Sequence, residues 1–235
     1  MIQAYVTNLG KYNEGELCGE YLKLPATRED VQALLSRIGI DGVLYEEVFI
    51  TDYETDIDGL SRRLGEYESI DELNYLASLL SDMDKWEILK FEAVLECGEY
   101  TSSVKDLINL AQNLDCYDYL PEIRELDELG QYYTHELGCI EIPEALEGYI
   151  DYEAIGRDVS NDLGGSFTGR GYVMNNCSNF RENYSGRGDL LDEHKIFAYP
   201  DRTGKESAKL QLERYGKMAA SRPLVAKSEP THAER

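Results

Sequence analysis

The stretch from Tyr45 to Asp58, YEEVFITDYETDID, combines β-forming residues with a dense set of carboxylates. No Lys or Arg interrupts it. Asp and Glu are poor strand residues, so this arrangement sacrifices local stability to concentrate negative charge. The chemistry that it favours is electrostatic binding of a basic partner. The carboxylates are Glu46, Glu47, Asp52, Glu54, Asp56 and Asp58.

Two segments imitate ligand-binding motifs. Residues 54–59, ETDIDG, have the spacing that starts an EF-hand calcium loop, but Arg62 stands at the ninth position and Gly65 at the twelfth, where the loop needs a glutamate. The segment from Gly164 to Arg170 has phosphate-loop spacing, yet Arg170 replaces the lysine and Gly171 the hydroxyl residue. We therefore expect no metal at the first segment and a turn at the second.

No catalytic constellation is evident either. The three histidines, at positions 135, 194 and 232, are too few and too dispersed for a zinc site or a histidine-based active site. With 46 acids, chance pairs of carboxylates are unavoidable, so none identifies an acid–base dyad. We expect a protein that is not an enzyme and needs no cofactor.

Charge is distributed unevenly along the 235 residues. Residues 1–165 carry 11 Lys/Arg and 37 Asp/Glu, whereas residues 166–235 carry 12 and 9. A field of this sign repels nucleic acid and anionic membranes, so direct binding to either is disfavoured. A basic protein partner is the expected complement.

The composition otherwise indicates a globular intracellular protein. Hydrophobic residues make up 42% of the chain, which is enough for a core. The five cysteines have no C-x-x-C spacing, the N-terminus has no apolar signal core, and no apolar run reaches the ~20 residues of a membrane span. We expect a soluble, cytoplasmic protein with reduced thiols.

The elements that must position the acids can be placed by pattern. Strands are predicted over 2–6, over 16–24 and in the Tyr45 stretch, with a helix between the last two that begins at a capping box of Thr27 and Asp30. Further helices are predicted from a capping box of Ser69 and Glu72, from near Asp84, and from Ser103 with Asp106. Helices over 125–137 and 143–155 and a closing strand within 163–174 complete an α+β pattern.

Several motifs together resemble one protein family. They are YVTNLGKYNEGELCGEYLKLP, FITDYE, YESIDELNYLASLL and YIDYEAIGRDVSNDLGGSF, in family order across roughly residues 1–170. In them the chain closely resembles the ArdA antirestriction proteins. The resemblance implies an elongated, dimeric, acidic protein of three small domains that mimics B-form DNA, occupies the DNA groove of type I restriction-modification enzymes and catalyses nothing.

The expected domains are an α+β domain at 1–62, a helical domain at 63–114, an α+β domain at 115–176 and an extension at 177–235. The extension departs from the family, and its composition predicts a linker and loosely ordered tail with a short helix over 206–218. We therefore expect the fold to be complete by about residue 176.

The resemblance implies a basic DNA-binding groove as partner, formed by methyltransferase and specificity subunits. The predicted DNA-mimicking carboxylates comprise the six acids above together with Glu66, Glu68, Asp71, Glu72, Asp82, Asp84, Glu87, Asp115, Asp118, Asp127 and Glu128. Two acidic bodies end to end would span ~80 Å with roughly one charge per 1.5 Å, close to the ~1.7 Å of duplex DNA, so a homodimer fits the expectation. Two alternatives stay open: an acidic inhibitor of another DNA-binding nuclease or CRISPR effector, and an acidic hydrolase using a carboxylate pair.

Overall fold

Three antiparallel strands form the N-terminal sheet of the computed structural model, which describes residues 1–200. They are β1 (Ile2–Asn8), β2 (Gly19–Leu24) and β3 (Val48–Thr55), in the order β2-β1-β3. Alternation along β1 buries Ile2, Ala4 and Val6. The predicted strands are confirmed, although the second begins at Gly19 rather than Glu16.

Two helices connect these strands. They are α1 (Leu9–Asn13) and α2 (Arg28–Arg37). The capping box predicted for α2 is confirmed: the Asp30 N–H donates to Thr27 Oγ1 at 3.2 Å, and the Thr27 N–H donates to Asp30 Oδ2 at 3.0 Å. The apolar stripe of α2, with Val31, Leu34 and Leu35 fully buried, faces the same core as the sheet.

A helical segment follows. Its members are α3 (Ile70–Asp82), α4 (Lys85–Cys97) and α5 (Val104–Ala111). Two predicted starts are confirmed, and both carry caps. Asp84 and Glu87 exchange bonds of 2.8 Å before α4, and Ser103 Oγ accepts from the Asp106 N–H before α5. The remaining helix of this segment, α3, begins directly after Ser69, as predicted.

The C-terminal part contains a second antiparallel sheet and two helices. Its elements are β4 (Tyr117–Leu120), α6 (Leu126–Gln131), α7 (Tyr152–Leu163), β5 (Ser166–Thr168) and β6 (Gly171–Asn175), with sheet order β4-β6-β5. The predicted helix over 125–137 is α6 followed by a π-helical turn. A single helix over 143–155 is wrong: a 3₁₀ helix ends before Ile150, and the Asp151 carboxylate caps α7 by accepting the Ala154 N–H at 3.0 Å.

The predicted closing strand is instead a hairpin. β5 and β6 pair from Ser166 with Val173 to Thr168 with Gly171, which leaves Gly169 and Arg170 as a two-residue turn. The segment with phosphate-loop spacing therefore contains β5 and both residues of this turn.

Buried apolar side chains form one large cluster that extends from Ile2 to Ile196. A smaller cluster contains Ile123, Leu129 and Tyr172 beneath the second sheet. The mixed α+β class is confirmed. The large cluster includes residues from all four predicted segments, and the division at residues 62, 114 and 176 stays a prediction.

Residues 177–200, here called the C-terminal arm, pack onto this core. Tyr184, Leu190 and Ile196 are 2–5% exposed. The arm has little regular structure, but the side chains of Asn109 and Asn113 satisfy its backbone. The expected loose linker is wrong for this stretch, because local composition cannot reveal order that comes from tertiary contacts. The rest of the extension, including the helix predicted over 206–218, lies outside the described residues.

Candidate functional site

A β-bulge sets the direction of the carboxylates in β3. Tyr5 pairs with Asp52, but the next residue of β1, Val6, pairs with Ile50, so Thr51 is the extra residue. Without this insertion Ile50, Asp52 and Glu54 would share one face, since side chains alternate with a period of two. The bulge buries Ile50 at 2% exposure and leaves both acids exposed.

Uncharged side chains hold Asp52 and Glu54 in place by hydrogen bonds. Tyr21 Oη donates to Asp52 Oδ2 at 2.5 Å, and Gln3 Nε2 donates to Glu54 Oε2 at 3.2 Å. The hydrogen bond to Asp52 is the main cause that raises the pKa of Tyr21 to about 12. The outer face of the first sheet therefore presents ordered carboxylates that form no ion pair with any cation of residues 1–200.

Asp56 and Asp58, at the end of the same stretch, are exposed but have cationic partners. Asp56 contacts the N-terminal ammonium of Met1, and Asp58 Oδ2 lies 3.0 Å from Arg170 Nη2. The side chains with EF-hand-like spacing are thus directed to an ammonium, an amide and a guanidinium. No group of three or more metal-ligating side chains is assembled anywhere in residues 1–200.

Five of the predicted acids are exposed and make no side-chain hydrogen bond, and no ion pair within 4 Å, to another described residue. Glu46 and Glu47 precede β3, and Glu66 lies on the connection between β3 and α3. The others are Asp82 at the end of α3 and Asp115 before β4. All five are exposed to solvent, and within residues 1–200 only Asp115 has a cation, Lys90, near enough to feel its charge.

The acids around the start of α3 instead stabilise the fold. The expected capping box of Ser69 and Glu72 is wrong: Ser69 makes no capping bond, and Glu72 is drawn to the C-terminal arm. It accepts from Tyr184 Oη at 2.8 Å and pairs with Arg187 Nε at 3.0 Å. Burial, together with this bond to Glu72, raises the pKa of Tyr184. Asp71 accepts the backbone N–H of Phe197 at 2.7 Å.

Other predicted acids serve as local caps. Glu68 accepts the Gly65 N–H at 3.1 Å, and Glu128 accepts the Arg124 N–H at 2.7 Å. Asp127 accepts from Gln131 Nε2 at 2.6 Å. Asp84 and Glu87 form the capping box of α4 and are nevertheless exposed.

Asp118 of β4 and Asp115 lie near the half-buried Lys90 of α4. Burial lowers the pKa of Lys90, and the two carboxylates oppose that shift. Asp118 is exposed and meets the Asn176 side chain at 3.4 Å.

Twelve of the 17 predicted carboxylates are therefore exposed, and five are half-buried. The half-buried ones are Glu68, Asp71, Glu72, Asp127 and Glu128. Residues 1–200 contain 41 acids and 15 Lys/Arg, so most of the negative charge in this part of the chain has no counter-charge within it. This uncompensated surface is the candidate site.

Sequence reasoning missed Glu92 and Glu96 of α4. Glu92 Oε2 lies 3.0 Å from Arg170 Nη1, and Glu96 accepts the Gly169 N–H at 2.9 Å, so both hold the β5–β6 turn. A signal exists for Glu92: it stands inside the apolar run FEAVLEC, where a buried charge requires a partner.

The fold and the surface define an acidic α+β protein with a carboxylate-rich exterior, the class suited to binding basic partners. No helix in the described part of the chain is long and apolar enough to span a membrane. The family model for the antirestriction protein ArdA matches residues 4–174. Because the match covers most of the chain, the protein belongs to the ArdA antirestriction family. None of the curated proteins matches it.

Membership gives the chain an antirestriction function. The family consists of inhibitor proteins directed at type I restriction-modification enzymes. The match ends at Met174, so the C-terminal arm lies beyond the part of the chain that the family describes.

Proposed function

We propose that this protein inhibits type I restriction-modification enzymes by mimicking duplex DNA and occupying the DNA-binding groove of the methyltransferase and specificity subunits. The inhibitor acts in the cytoplasm and protects incoming mobile DNA by competition, without catalysis.

The observation that carries the proposal is the set of ordered, exposed carboxylates that have no cationic partner in the described part of the chain. Asp52 and Glu54 are fixed on the outer face of the first sheet by neutral donors. Glu46, Glu47 and Glu66 are exposed nearby in the chain. A groove that neutralises phosphates with Lys and Arg accepts carboxylates by the same electrostatics.

Binding energy in such a mimic is spread over many contacts. Each exposed ion pair is worth at most ~1 kcal/mol, so no single carboxylate is decisive. Affinity falls as salt rises, because binding releases the counterions condensed on both surfaces and this release gains less entropy at high salt. We further propose a homodimer, since two acidic bodies are needed to match the length of DNA that a bipartite groove covers.

The test is competition of the protein against labelled duplex DNA for a type I methyltransferase, across a salt series. Two triple variants remove the same formal charge. One neutralises the unpaired acids through Glu46→Gln, Glu47→Gln and Glu66→Gln. The other neutralises acids that pair with Arg37, Arg157 and Lys195 through Glu20→Gln, Glu153→Gln and Asp192→Asn.

The first triple variant should lose about tenfold or more in competition and show a shallower salt slope, since three contacts of up to ~1 kcal/mol each are removed. The second should lose less, because its acids are already screened by their partners. Equal losses would show that only net charge matters, and complete loss from one amide substitution with the fold intact would refute distributed mimicry.

A further inference from the structure

A row of three aromatic rings interrupts the acidic surface. Tyr12 of α1 and Tyr67 each contact Phe49 of β3, with ring centroids 5.1 Å and 6.2 Å apart. Phe49 is 7% exposed, whereas Tyr12 is 51% and Tyr67 69% exposed. Two large phenol rings are therefore left on the surface; we call this row the tyrosine patch.

The backbone fixes the patch in place. The Leu9 N–H at the start of α1 donates to the Glu47 carbonyl at 3.1 Å. The Ile50 N–H of β3 donates to the Glu66 carbonyl at 2.7 Å, which pins the segment that carries Tyr67 beside the strand. Rigid aromatic side chains lose little conformational entropy on binding, so an ordered patch of this kind suits recognition.

Two exposed carboxylates lie beside the patch. Glu47 and Glu66, whose backbones make these two bonds, are both exposed. The basic residue of α1, Lys11, is turned away, with its Nζ 4.0 Å from the half-buried Cys18 Sγ. Arg62 lines the groove beside Glu66 but makes no ion pair within the described chain. Exposed aromatic rings with carboxylates beside them favour the binding of a planar cation.

We infer that the tyrosine patch binds an arginine side chain of the partner's DNA-binding groove. The inference rests on the proposed function and adds a contact that phosphate mimicry does not supply. A guanidinium group stacks on an aromatic face while its N–H groups pair with carboxylates. An ammonium group interacts less well with the aromatic face. The patch thus contributes an affinity term that salt screens weakly and fixes the position of the inhibitor in the groove.

The experiment is the same competition assay with the double variant Tyr12→Leu and Tyr67→Leu, which keeps apolar cover over Phe49. The conservative double variant replaces both with Phe and keeps the aromatic faces. The matched control is Tyr149→Leu, since Tyr149 is 86% exposed and has no ring contact in residues 1–200. Thermal unfolding of each variant shows whether the fold survives.

The Leu variant should lose about tenfold in competition with an unchanged salt slope, while the Phe variant and the Tyr149 control match the parent protein. A folded Leu variant that competes like the parent overturns the inference, and mimicry stands if the acid triple variant still fails. A loss in the Phe variant equal to that in the Leu variant also overturns it, because the hydroxyls would then carry the contact. If the parent protein does not compete with DNA, the proposed function and the inference fall together.

Discussion

Arg170 contacts Glu92 and Asp58 at the same time: its Nη1 lies 3.0 Å from Glu92 Oε2, and its Nη2 lies 3.0 Å from Asp58 Oδ2. Glu92 is the buried partner, with a side chain 6% exposed, and it also accepts the Asp58 N–H at 2.8 Å. The turn between β5 and β6 is therefore fastened to α4 and to the segment after β3 by a buried charge. Within the described chain that charge has no other cationic partner.

Replacing Arg170 with Ala should destabilise the protein, because it leaves Glu92 buried and unpaired. We expect a loss of about 2 kcal/mol, less than for a fully buried pair since the Arg170 side chain is 27% exposed. Adding Glu92→Gln should restore part of the loss. Arg157→Ala, which breaks only an exposed pair, serves as control, and chemical denaturation measures all three. An Arg170 variant as stable as the control would contradict this role.

Close contact between α6 and α7 depends on two glycines. A Cβ on Gly156 would lie 1.8 Å from the Leu126 carbonyl oxygen, and one on Gly130 would lie 1.9 Å from that of Tyr152. Gly156→Ala should therefore cost about 3 kcal/mol, at the upper end of overpacking, because backbone cannot move aside as a side chain can. Gly148→Ala, where a Cβ meets nothing within 4 Å, is the control. Equal melting temperatures for the two variants would disprove the tight crossing.

The C-terminal arm should be required for stability even though it lies beyond the family match. A chain ending at Asn176 loses three buried apolar side chains, each worth about 1.5–3 kcal/mol, and orphans the side chains of Asn109 and Asn113. We expect it to melt far below the full chain, if it folds cooperatively at all. A chain ending at Pro200, which keeps all of these contacts, is the control and should melt above the chain that ends at Asn176.

A single substitution also tests whether the arm stabilises the fold, without removing the arm. Asn109→Ala deletes both bonds to the backbone of Tyr184 and should cost about 1–3 kcal/mol. If the chain ending at Asn176 and the Asn109 variant both melt like the full chain, the arm is dispensable for stability and the domain boundary predicted near residue 176 is right.

Local chemistry explains which elements were predictable. The starts of α2 and α4 follow from capping boxes, since Thr27 with Asp30 and Asp84 with Glu87 satisfy backbone groups within one turn. The family match covers most of the chain, which explains why the motifs identified the antirestriction family. The exposure of most predicted acids follows from the high cost of burying charge.

Features that depend on distant partners could not be predicted. The bulge at Thr51 arises from pairing with β1, and pattern alone gives no register. Ser69 and Glu72 have capping-box spacing, but Tyr184 and Arg187, more than a hundred residues away, offer Glu72 better partners. The order of the arm has the same origin. Sequence reasoning therefore located the acids but could not separate those that face solvent unpaired from those that hold the fold.

High pH should unfold this protein. The pKa of Tyr21 is raised to about 12 by its bond to Asp52, and burial is the main cause of raised pKa values at Tyr53, Tyr117 and Tyr184. A group whose pKa is higher in the folded than in the unfolded state stabilises fully below its unfolded value, near 10 for tyrosine. That stabilisation is lost as the pH rises through the folded pKa. Ionised tyrosines would also add charge to an already negative molecule, so both effects have the same sign.

We therefore expect the melting temperature to fall steeply above pH ~10, together with the rise in tyrosinate ultraviolet absorbance. Tyr184→Phe removes one of the linked groups and should make the fall shallower, at the expense of the bond to Glu72 at neutral pH. Tyr149→Phe changes an exposed ring that has no ring contact or side-chain hydrogen bond within residues 1–200 and should reproduce the parent curve. If the parent protein kept a constant melting temperature up to pH ~11, the tyrosines would not be linked to folding, and the bonds of Tyr21 to Asp52 and of Tyr184 to Glu72 would be too weak to matter.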